Sequence, residues 1–151
     1  GGNGDDILIG ATDLATGGDT IIGGEGNDIL WGSEADDSIL GGNGRDWIVG
    51  SVSDLAGTDT IFGGAGEDMI MSGFFLVEDE ETVTTYMEEW VSNDTYSNRV
   101  NHLMGNLAGG LNVGTLQVGG NVFNDSSVDV VLGEGDQDFL FVDLQQDVAS
   151  D

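Results

Sequence analysis

The sequence has no cysteine, no proline and no lysine, and its 151 residues include only two arginines. The missing cysteines exclude disulfides and thiolate metal sites. Because 29 acidic side chains leave a net charge of -27, nucleic-acid phosphates and anionic lipid head groups would repel the chain. No apolar run approaches the roughly 18 residues that a membrane span requires. Nucleic acid and membrane insertion are therefore not expected, and a bound cation is the obvious source of counter-charge.

Glycine and hydrophobic residues together indicate a folded chain. The 27 glycines make the backbone costly to order, but 38% of the residues are hydrophobic, which is too apolar for an acidic disordered tail. We expect one domain with room for a small subdomain. Since the chain starts at Gly1 and shows no signal-like apolar stretch, we also expect a segment of a longer protein, whose targeting information lies elsewhere.

The glycines recur in a nine-residue unit, Gly-Gly-x-Gly-x-Asp-x-U-x, in which U is a large aliphatic residue. Four units follow this pattern closely, at residues 1–9, 23–31, 41–49 and 63–71. Residues 32–40 keep the frame with Ser33 and Ala35 in place of glycine, and two units are longer by four residues, at 10–22 and 50–62. The sixth position of the pattern is aspartate in all seven units: Asp6, Asp19, Asp28, Asp37, Asp46, Asp59 and Asp68.

These units resemble the RTX (repeats-in-toxin), hemolysin-type calcium-binding nonapeptide repeats of large secreted or surface bacterial proteins. The resemblance implies an all-β solenoid, a right-handed parallel β-roll in which each nonapeptide is a six-residue turn and a three-residue strand. Calcium would lie between stacked turns, where carbonyls and carboxylates can supply the roughly six to eight oxygen ligands that Ca²⁺ accepts. Magnesium fits worse, because it demands strict octahedral geometry and retains its water.

Successive turns of such a roll alternate between its two edges. The odd turns, of units one, three, five and seven, all keep the full glycine pattern, at residues 1–6, 23–28, 41–46 and 63–68. The even turns comprise the two expanded turns and the degenerate one, at residues 10–19, 32–37 and 50–59. Because positive-φ turns need glycine, we expect calcium to be held best on the odd edge.

The resemblance also implies a ligand set for each ion, made of carbonyls and the aspartate from one turn and from the next. On the odd edge the three sets are Gly2, Gly4 and Asp6 with Gly23, Glu25 and Asp28; Gly24, Gly26 and Asp28 with Gly41, Asn43 and Asp46; and Gly42, Gly44 and Asp46 with Gly63, Ala65 and Asp68. Asp28 and Asp46 would each bridge two ions.

The even edge is expected to bind calcium less securely. Its implied sets are Gly17 and Asp19 with Gly32, Glu34 and Asp37, and then Ser33, Ala35 and Asp37 with the expanded turn ending in Asp59. The four-residue insertions either displace ions or add ligands through Asp13 or Asp54. We expect about five calcium ions in total, three of them on the odd edge, which would neutralise roughly ten of the negative charges.

Alternation along each strand predicts which side chains form the core. Position eight of each unit points inward, at Leu8, Ile21, Leu30, Ile39, Ile48, Ile61 and Ile70. Outward positions of the odd strands are apolar throughout, at Ile7, Ile9, Ile29, Trp31, Trp47, Val49, Met69 and Met71. An exposed sheet face of this composition would be an aggregation hazard, so we expect the rest of the chain or a partner to cover it.

The remaining sequence predicts a cover and a return of the repeat. After the acidic residues Glu78 to Glu81, one helix would present Val83, Met87, Trp90 and Val91, and a second, starting near Asn93 and Asp94, would present Tyr96, Val100, Leu103 and Met104 before stopping at Gly105. Glycine-rich residues 105–120 are expected to form a loop with one strand around residues 116–118. Asp129, Asp138 and Asp147 are nine apart, with Val131 and Leu140 in inward positions. The predicted division is 1–72 for the repeats, 73–123 for a helical insertion or cap, and 124–151 for degenerate repeat strands.

The predicted function is a calcium-binding module of a secreted or cell-surface bacterial protein, which folds on Ca²⁺ outside the cell and has a structural or adhesive role. The open alternative is a C-terminal RTX secretion and stabilisation domain of an extracellular protease, lipase or polysaccharide-modifying enzyme. The segment from Trp90 to Phe141 also resembles the terminal part of RTX regions in very large secreted proteins, which implies a cap. No catalytic residue is expected, and His102 is expected on the surface or as a helix cap. Homotypic end-to-end or apolar-face association is a further expectation.

Overall fold

The structure is a computed structural model that describes residues 1–10, 17–53, 57–76, 80–111, 115–117, 120–125, 127–143 and 145–150. The strands before the helices are β1 (Gly2–Asn3), β2 (Ile7–Ile9), β3 (Thr20–Glu25), β4 (Ile29–Trp31), β5 (Ser38–Asn43), β6 (Trp47–Ser51), β7 (Thr60–Ala65) and β8 (Met69–Phe75). The later elements are the helices α1 (Glu80–Trp90) and α2 (Tyr96–Leu103) and the strands β9 (Val122–Phe123), β10 (Val130–Leu132), β11 (Phe139–Phe141) and β12 (Val148–Ser150).

Consecutive strands of the repeats alternate between two parallel sheets. The first sheet has the order β1-β3-β5-β7-β10-β12, and the second has the order β11-β8-β6-β4-β2. Equivalent repeat positions lie side by side, as Ile21 does with Ile39 and Ile39 with Ile61. The odd turns therefore stack along one edge between the sheets, and the even turns stack along the other.

The side chains at position eight fill the space between the two sheets, as their alternation predicts. Six of the seven are buried, and Leu8 is partly buried where the stack ends. Val131 is buried in the same cluster, and Leu140 packs against it, so both inward predictions for the later segment are confirmed. Each repeat strand from β2 to β8 contributes one inward aliphatic residue, so the core between the sheets is narrow.

The last part of the chain extends both sheets. β10 pairs in parallel with β7, β11 pairs with β8, and β12 adds to β10. The intervening residues leave the second sheet after β8 and return through β9, which pairs antiparallel with β8. The sheets therefore continue in register with the repeats across a long excursion of the chain.

The excursion covers the apolar outer face of the second sheet. Trp47, Met69 and Met71 are fully buried there, in one cluster with residues of both helices. From α1 this cluster takes Val83, Met87 and Trp90, with Val91 packed against it, as the helical periodicity predicts. Towards the free edge strand β2 the cover ends, and Ile7 and Ile9 remain 44% and 55% exposed. The expected cover is thus supplied by this chain over most of the face.

Details of the cover differ from the sequence prediction. α2 begins at Tyr96 and not near Asn93, because Thr95 is the N-cap and accepts the Asn98 N–H through its side chain. The helix ends before Gly105, whose φ of 70° lies in the left-handed region. Leu116 is buried but lies outside any strand, while Glu78, Asp79 and Val118 lie outside the described residues. None of the described helices is long and apolar enough to cross a bilayer.

Candidate metal centre

The odd turns share a backbone conformation that glycine makes possible. Glycines at their second and fourth positions have φ between 101° and 134°, at Gly2, Gly4, Gly24, Gly26, Gly42, Gly44, Gly64 and Gly66. A Cβ on Gly42 would also collide with the carbonyl oxygen of Gly24 in the turn below. The double glycine pattern therefore serves both the left-handed conformation and the close stacking of turns.

The sixth-position aspartates of the odd turns form a column joined by backbone hydrogen bonds. Asp28 Oδ1 accepts the N–H of Asp6 at 2.8 Å, Asp46 Oδ1 accepts that of Asp28 at 2.8 Å, and Asp68 Oδ1 accepts that of Asp46 at 2.9 Å. Asp28, Asp46 and Asp68 are fully buried. One oxygen of each carboxylate is thus used to align neighbouring turns.

The other carboxylate oxygen of these residues is left for a ligand. In the described part of the chain, Oδ2 of Asp28, Asp46 and Asp68 is buried and has no hydrogen-bond partner. A Cβ on Gly23 would collide with both Asp28 Oδ2 and the carbonyl oxygen of Gly41, and one on Gly41 would collide with Asp46 Oδ2 and the Gly63 carbonyl. A carboxylate oxygen and the carbonyl of the next turn therefore converge, as the odd-edge ligand sets require. Because an orphaned buried oxygen is costly, this donor set fits Ca²⁺ well.

Electrostatics point the same way. Burial raises the pKa of Asp46 to about 7 and that of Asp68 to about 8. The backbone hydrogen bond that each carboxylate accepts lowers its pKa in part, and the negative charge of neighbouring aspartates raises it further. Burial also raises the pKa of Asp28. Without counter-charge, Asp28, Asp46 and Asp68 thus hold protons more tightly than an ordinary aspartate, and a divalent cation between the turns would remove the cost of their burial.

The even turns differ in the way that their missing glycines predict. Positive φ is absent from their described residues. Asp37 Oδ2 accepts the backbone N–H of Ser33 at 2.5 Å, within its own turn, so protein hydrogens already satisfy that oxygen. Asp59 is different, since its Oδ2 is buried and unpartnered in the described residues and burial raises its pKa to about 8. The even edge therefore offers fewer open carboxylate oxygens than the odd edge.

The described residues place the other predicted ligands as follows. The carbonyls of Glu25, Asn43 and Ala65 each accept a backbone N–H from the fourth glycine of the preceding odd turn. Glu34 accepts a hydrogen bond from Ser53 Oγ at 3.1 Å through its side chain. Asp13 and Asp54 lie outside the described residues. No three His, Cys, Asp or Glu side chains group together in the described ranges, so any metal site here depends on backbone carbonyls.

The even-turn aspartates form a second column, in which Asp59 Oδ1 accepts the N–H of Asp37 at 2.9 Å. Both columns extend into the later segment, beyond the ligand sets derived from the repeats. Asp68 donates its N–H to Asp138 Oδ1 at 2.8 Å, and Asp59 donates its N–H to Asp129 Oδ1 at 2.8 Å. Asp129 in turn donates to Asp147 Oδ1 at 3.2 Å. The nine-residue spacing of these three aspartates is the signal in the sequence, although the double glycines are missing there.

Three polar contacts outside the columns lie at the cover or beneath it. Both arginines of the chain contact Glu67 Oε2, Arg45 at 3.0 Å and Arg99 from a fully buried position beneath Trp90. His102 is not on the surface: its side chain is 9% exposed, and Nδ1 lies 2.7 Å from Glu89 Oε1. His102 lies in the last turn of α2 and joins that helix to α1. These contacts have a structural role in the cover.

Two parallel sheets joined by stacked glycine turns, with a column of buried aspartates along each edge, define a repeat protein suited to holding cations between its turns. Residues 15–48 and 51–75 match the family model of the RTX calcium-binding nonapeptide repeat, in four copies, in agreement with the resemblance seen in the sequence. Such repeats bind calcium, so this part of the chain is a calcium-binding module, and the family implies a parallel β-roll. Comparison with curated proteins and with solved structures finds no match.

Proposed function

We propose that the repeats form a right-handed β-roll that binds about five calcium ions between its turns, three of them at the odd-edge ligand sets. The observation that carries this proposal is the buried, unpartnered Oδ2 of Asp28 and of Asp46, each of which converges with a carbonyl of the next odd turn, Gly41 and Gly63 respectively. At each site, Oδ1 aligns the turns through a backbone hydrogen bond while Oδ2 and the carbonyls would hold the ion. Calcium supplies the positive charge that the side chains lack.

Calcium binding then controls folding. With a net charge of -27, the metal-free chain resists collapse, because repulsion opposes the burial of its aspartates. An ion that binds only the folded form stabilises it in proportion to the logarithm of the ion concentration. Low calcium inside a bacterial cell would keep the chain unfolded for export, and millimolar calcium outside would fold it. The module would act at the cell surface or after secretion, in a structural or adhesive role.

Far-UV circular dichroism with a calcium titration tests this function. We expect little β signal in the metal-free chain and a cooperative gain on calcium addition. Asp46→Asn should raise the calcium concentration at the midpoint of that transition by tenfold or more. Asn keeps an oxygen for the Asp28 N–H, but it lacks the charged carboxylate that two ions would share. The matched control is Asp36→Asn, an exposed aspartate that is outside the proposed ligand sets.

Two results would contradict the function. A metal-free chain with the same spectrum as the calcium-loaded chain would remove the folding switch. Equal calcium dependence of Asp46→Asn and Asp36→Asn would remove the odd-edge sites. Ile7 and Ile9 are exposed on the edge strand β2, and β1 is the edge strand of the other sheet at the same end of the roll, which supports association at this end. Light scattering with and without chelator would measure it.

A further inference from the structure

The long excursion of the chain brings a distant turn onto the last regular repeat. Because β10 pairs with β7 and β11 with β8, residues 133–138 lie next to the odd turn 63–68. The Gly64 N–H donates to the Gly133 carbonyl at 3.0 Å, and the Asp68 N–H donates to Asp138 Oδ1 at 2.8 Å. Residues 133–138 thus continue the odd edge, although they lie outside the residues that match the repeat family.

The contact between these turns reproduces the oxygen arrangement of the regular odd turns. A Cβ on Gly63 would lie 2.5 Å from Asp68 Oδ2 and 2.9 Å from the Gly133 carbonyl oxygen. Asp68 is fully buried, and this Oδ2 has no hydrogen-bond partner in the described residues. An orphaned carboxylate oxygen therefore points at the same place as a carbonyl of the distant turn, as Asp46 Oδ2 does with the Gly63 carbonyl one turn earlier.

Glu134 adopts the conformation that glycine has in the regular turns. Its φ of 76° is the single positive value at a non-glycine position in the described part of the chain. Glu134 follows Gly133 as Gly64 follows Gly63, and Gly64 has a φ of 109°. Positive φ is strained for an L-residue, so the second position of this turn is held in the conformation of the regular odd turns although its sequence does not favour it, whereas the fourth position, Asp136, does not adopt it.

We propose that a calcium ion binds between residues 63–68 and 133–138, held by the carboxylates of Asp68 and Asp138 and the carbonyl of Gly133. This inference rests on the proposed function, and it adds a site made from two segments that the whole cover separates. The ion would fasten the returning strands to the repeats and close a long loop, for which the entropic cost grows only slowly with length.

The cover is attached to both halves of this site. The Trp90 indole N–H donates to the Glu67 carbonyl at 2.9 Å, and the Tyr96 hydroxyl donates to the Asp138 carbonyl at 2.9 Å. Trp90 also stacks with Phe139, at 6.3 Å between ring centroids. Calcium at the junction would therefore stabilise the docking of α1 and α2, and not only the stacking of turns.

The test counts calcium ions bound by the full chain, using native mass spectrometry at saturating calcium. Asp138→Asn keeps an oxygen for the Asp68 N–H but removes the carboxylate, and it should bind one ion fewer than the wild type. Amide hydrogen exchange in β11 and α2 should be at least tenfold faster in this variant. The matched control, Asp136→Asn, changes an exposed aspartate of the same turn and should match the wild type in both measurements.

An Asp138→Asn variant with the wild-type ion count and unchanged exchange would overturn the proposal. If that variant does not fold, Glu134→Gly decides, because it relieves the positive-φ strain and should raise the affinity of the weakest calcium step roughly threefold. An unchanged weakest step would also overturn the proposal. A wild-type chain that binds no calcium contradicts the proposed function, whereas loss of ions in Asp46→Asn but not in Asp138→Asn contradicts this inference alone.

Discussion

The backbone N–H of Asp68 donates a 2.8 Å hydrogen bond to Oδ1 of Asp138, 70 residues further along the chain. The equivalent bonds within the repeats span 18 or 22 residues, as from Asp28 to Asp46 or from Asp46 to Asp68. The geometry of the bond is the same although the connecting chain is very different. Stacking of turns in register, and not local sequence, therefore determines which aspartates become neighbours.

Replacing a glycine of an odd turn should destabilise the fold strongly. Gly42 has a φ of 121°, and a Cβ there would collide with the Gly24 carbonyl, so Gly42→Ala should lower the free energy of unfolding by at least about 2 kcal/mol. Urea unfolding at saturating calcium measures the change. Gly17→Ala is the control, since a Cβ on Gly17 meets no atom within 4 Å, and its effect should stay within about 0.5 kcal/mol. Equal changes in the free energy of unfolding for the two variants would show that the positive-φ turn does not require glycine at position 42.

The stability of the metal-free fold should fall as the pH rises. Burial raises the pKa of Asp46 to about 7 and of Asp59 and Asp68 to about 8, from an ordinary value of 3.8. The folded state therefore binds more protons than the unfolded state, and this contribution is complete below about pH 4 and is lost as the pH rises through 7 to 8. We expect the β signal of the dialysed, metal-free chain in circular dichroism to increase as the pH is lowered from 8 to 4.

Calcium affinity should show the opposite dependence, because protons and calcium compete for the same buried carboxylates. Between pH 8 and pH 6 the calcium concentration that half-saturates the folded chain should rise by tenfold or more. Asp36→Asn, which leaves these carboxylates in place, should follow the wild-type curve. A half-saturating calcium concentration that is independent of pH over this range would contradict the assignment of the buried aspartates as ligands.

Removing calcium should expose the two deeply buried tryptophans. Trp47 and Trp90 are fully buried between the second sheet and its cover. With excess chelator, tryptophan emission should shift to longer wavelength, and acrylamide should quench it several times more efficiently. Addition of calcium should reverse both changes, whereas magnesium at the same concentration should not, because its strict octahedral geometry suits carbonyl-rich turns poorly. Emission that chelator leaves unchanged would show that the cover docks without calcium.

The two arginines should contribute very differently to stability. Arg99 is 1% exposed, its guanidinium carbon lies 4.9 Å from the Trp90 ring centroid, and it pairs with Glu67. Arg99→Leu should therefore lower the free energy of unfolding by about 2–3 kcal/mol, because it removes both contacts and leaves Glu67 with only the more exposed Arg45. Arg45 pairs with the same carboxylate but is 33% exposed, and Arg45→Leu should cost at most about 1 kcal/mol. Urea unfolding of both variants in calcium measures the difference. Equal losses of unfolding free energy in the two variants would mean that burial does not make the Arg99–Glu67 pair stronger than the Arg45–Glu67 pair.

Much of the repeat architecture could be predicted from the residue pattern. Position eight gives the core from Ile21 to Ile70, because side chains alternate along a strand whatever the strand packs against. Helical periodicity likewise predicted that Trp90 belongs to the covering face, because residues three to four apart lie on the same side of a helix whatever it packs against. The odd-edge ligand sets stay predictions, but the converging oxygens of Asp28 and Asp46 lie where those sets require them.

Other features depend on which segments meet in space. Ser33 occupies a position where the repeat pattern has glycine. In the structure its backbone N–H donates a hydrogen bond to Asp37 Oδ2, which the repeat pattern does not predict. The burial of His102 against Glu89 requires two helices to pack at one particular angle.

The sequence by itself determined the repeat register, the inward aliphatic residues and the spacing of the aspartates, because these follow from turn and strand periodicity within each unit. Only the tertiary structure decided that Asp138 lies beside Asp68 and that both arginines meet at Glu67. Those contacts join segments far apart in the chain, and packing of the cover against the second sheet, not any local pattern, brings them together.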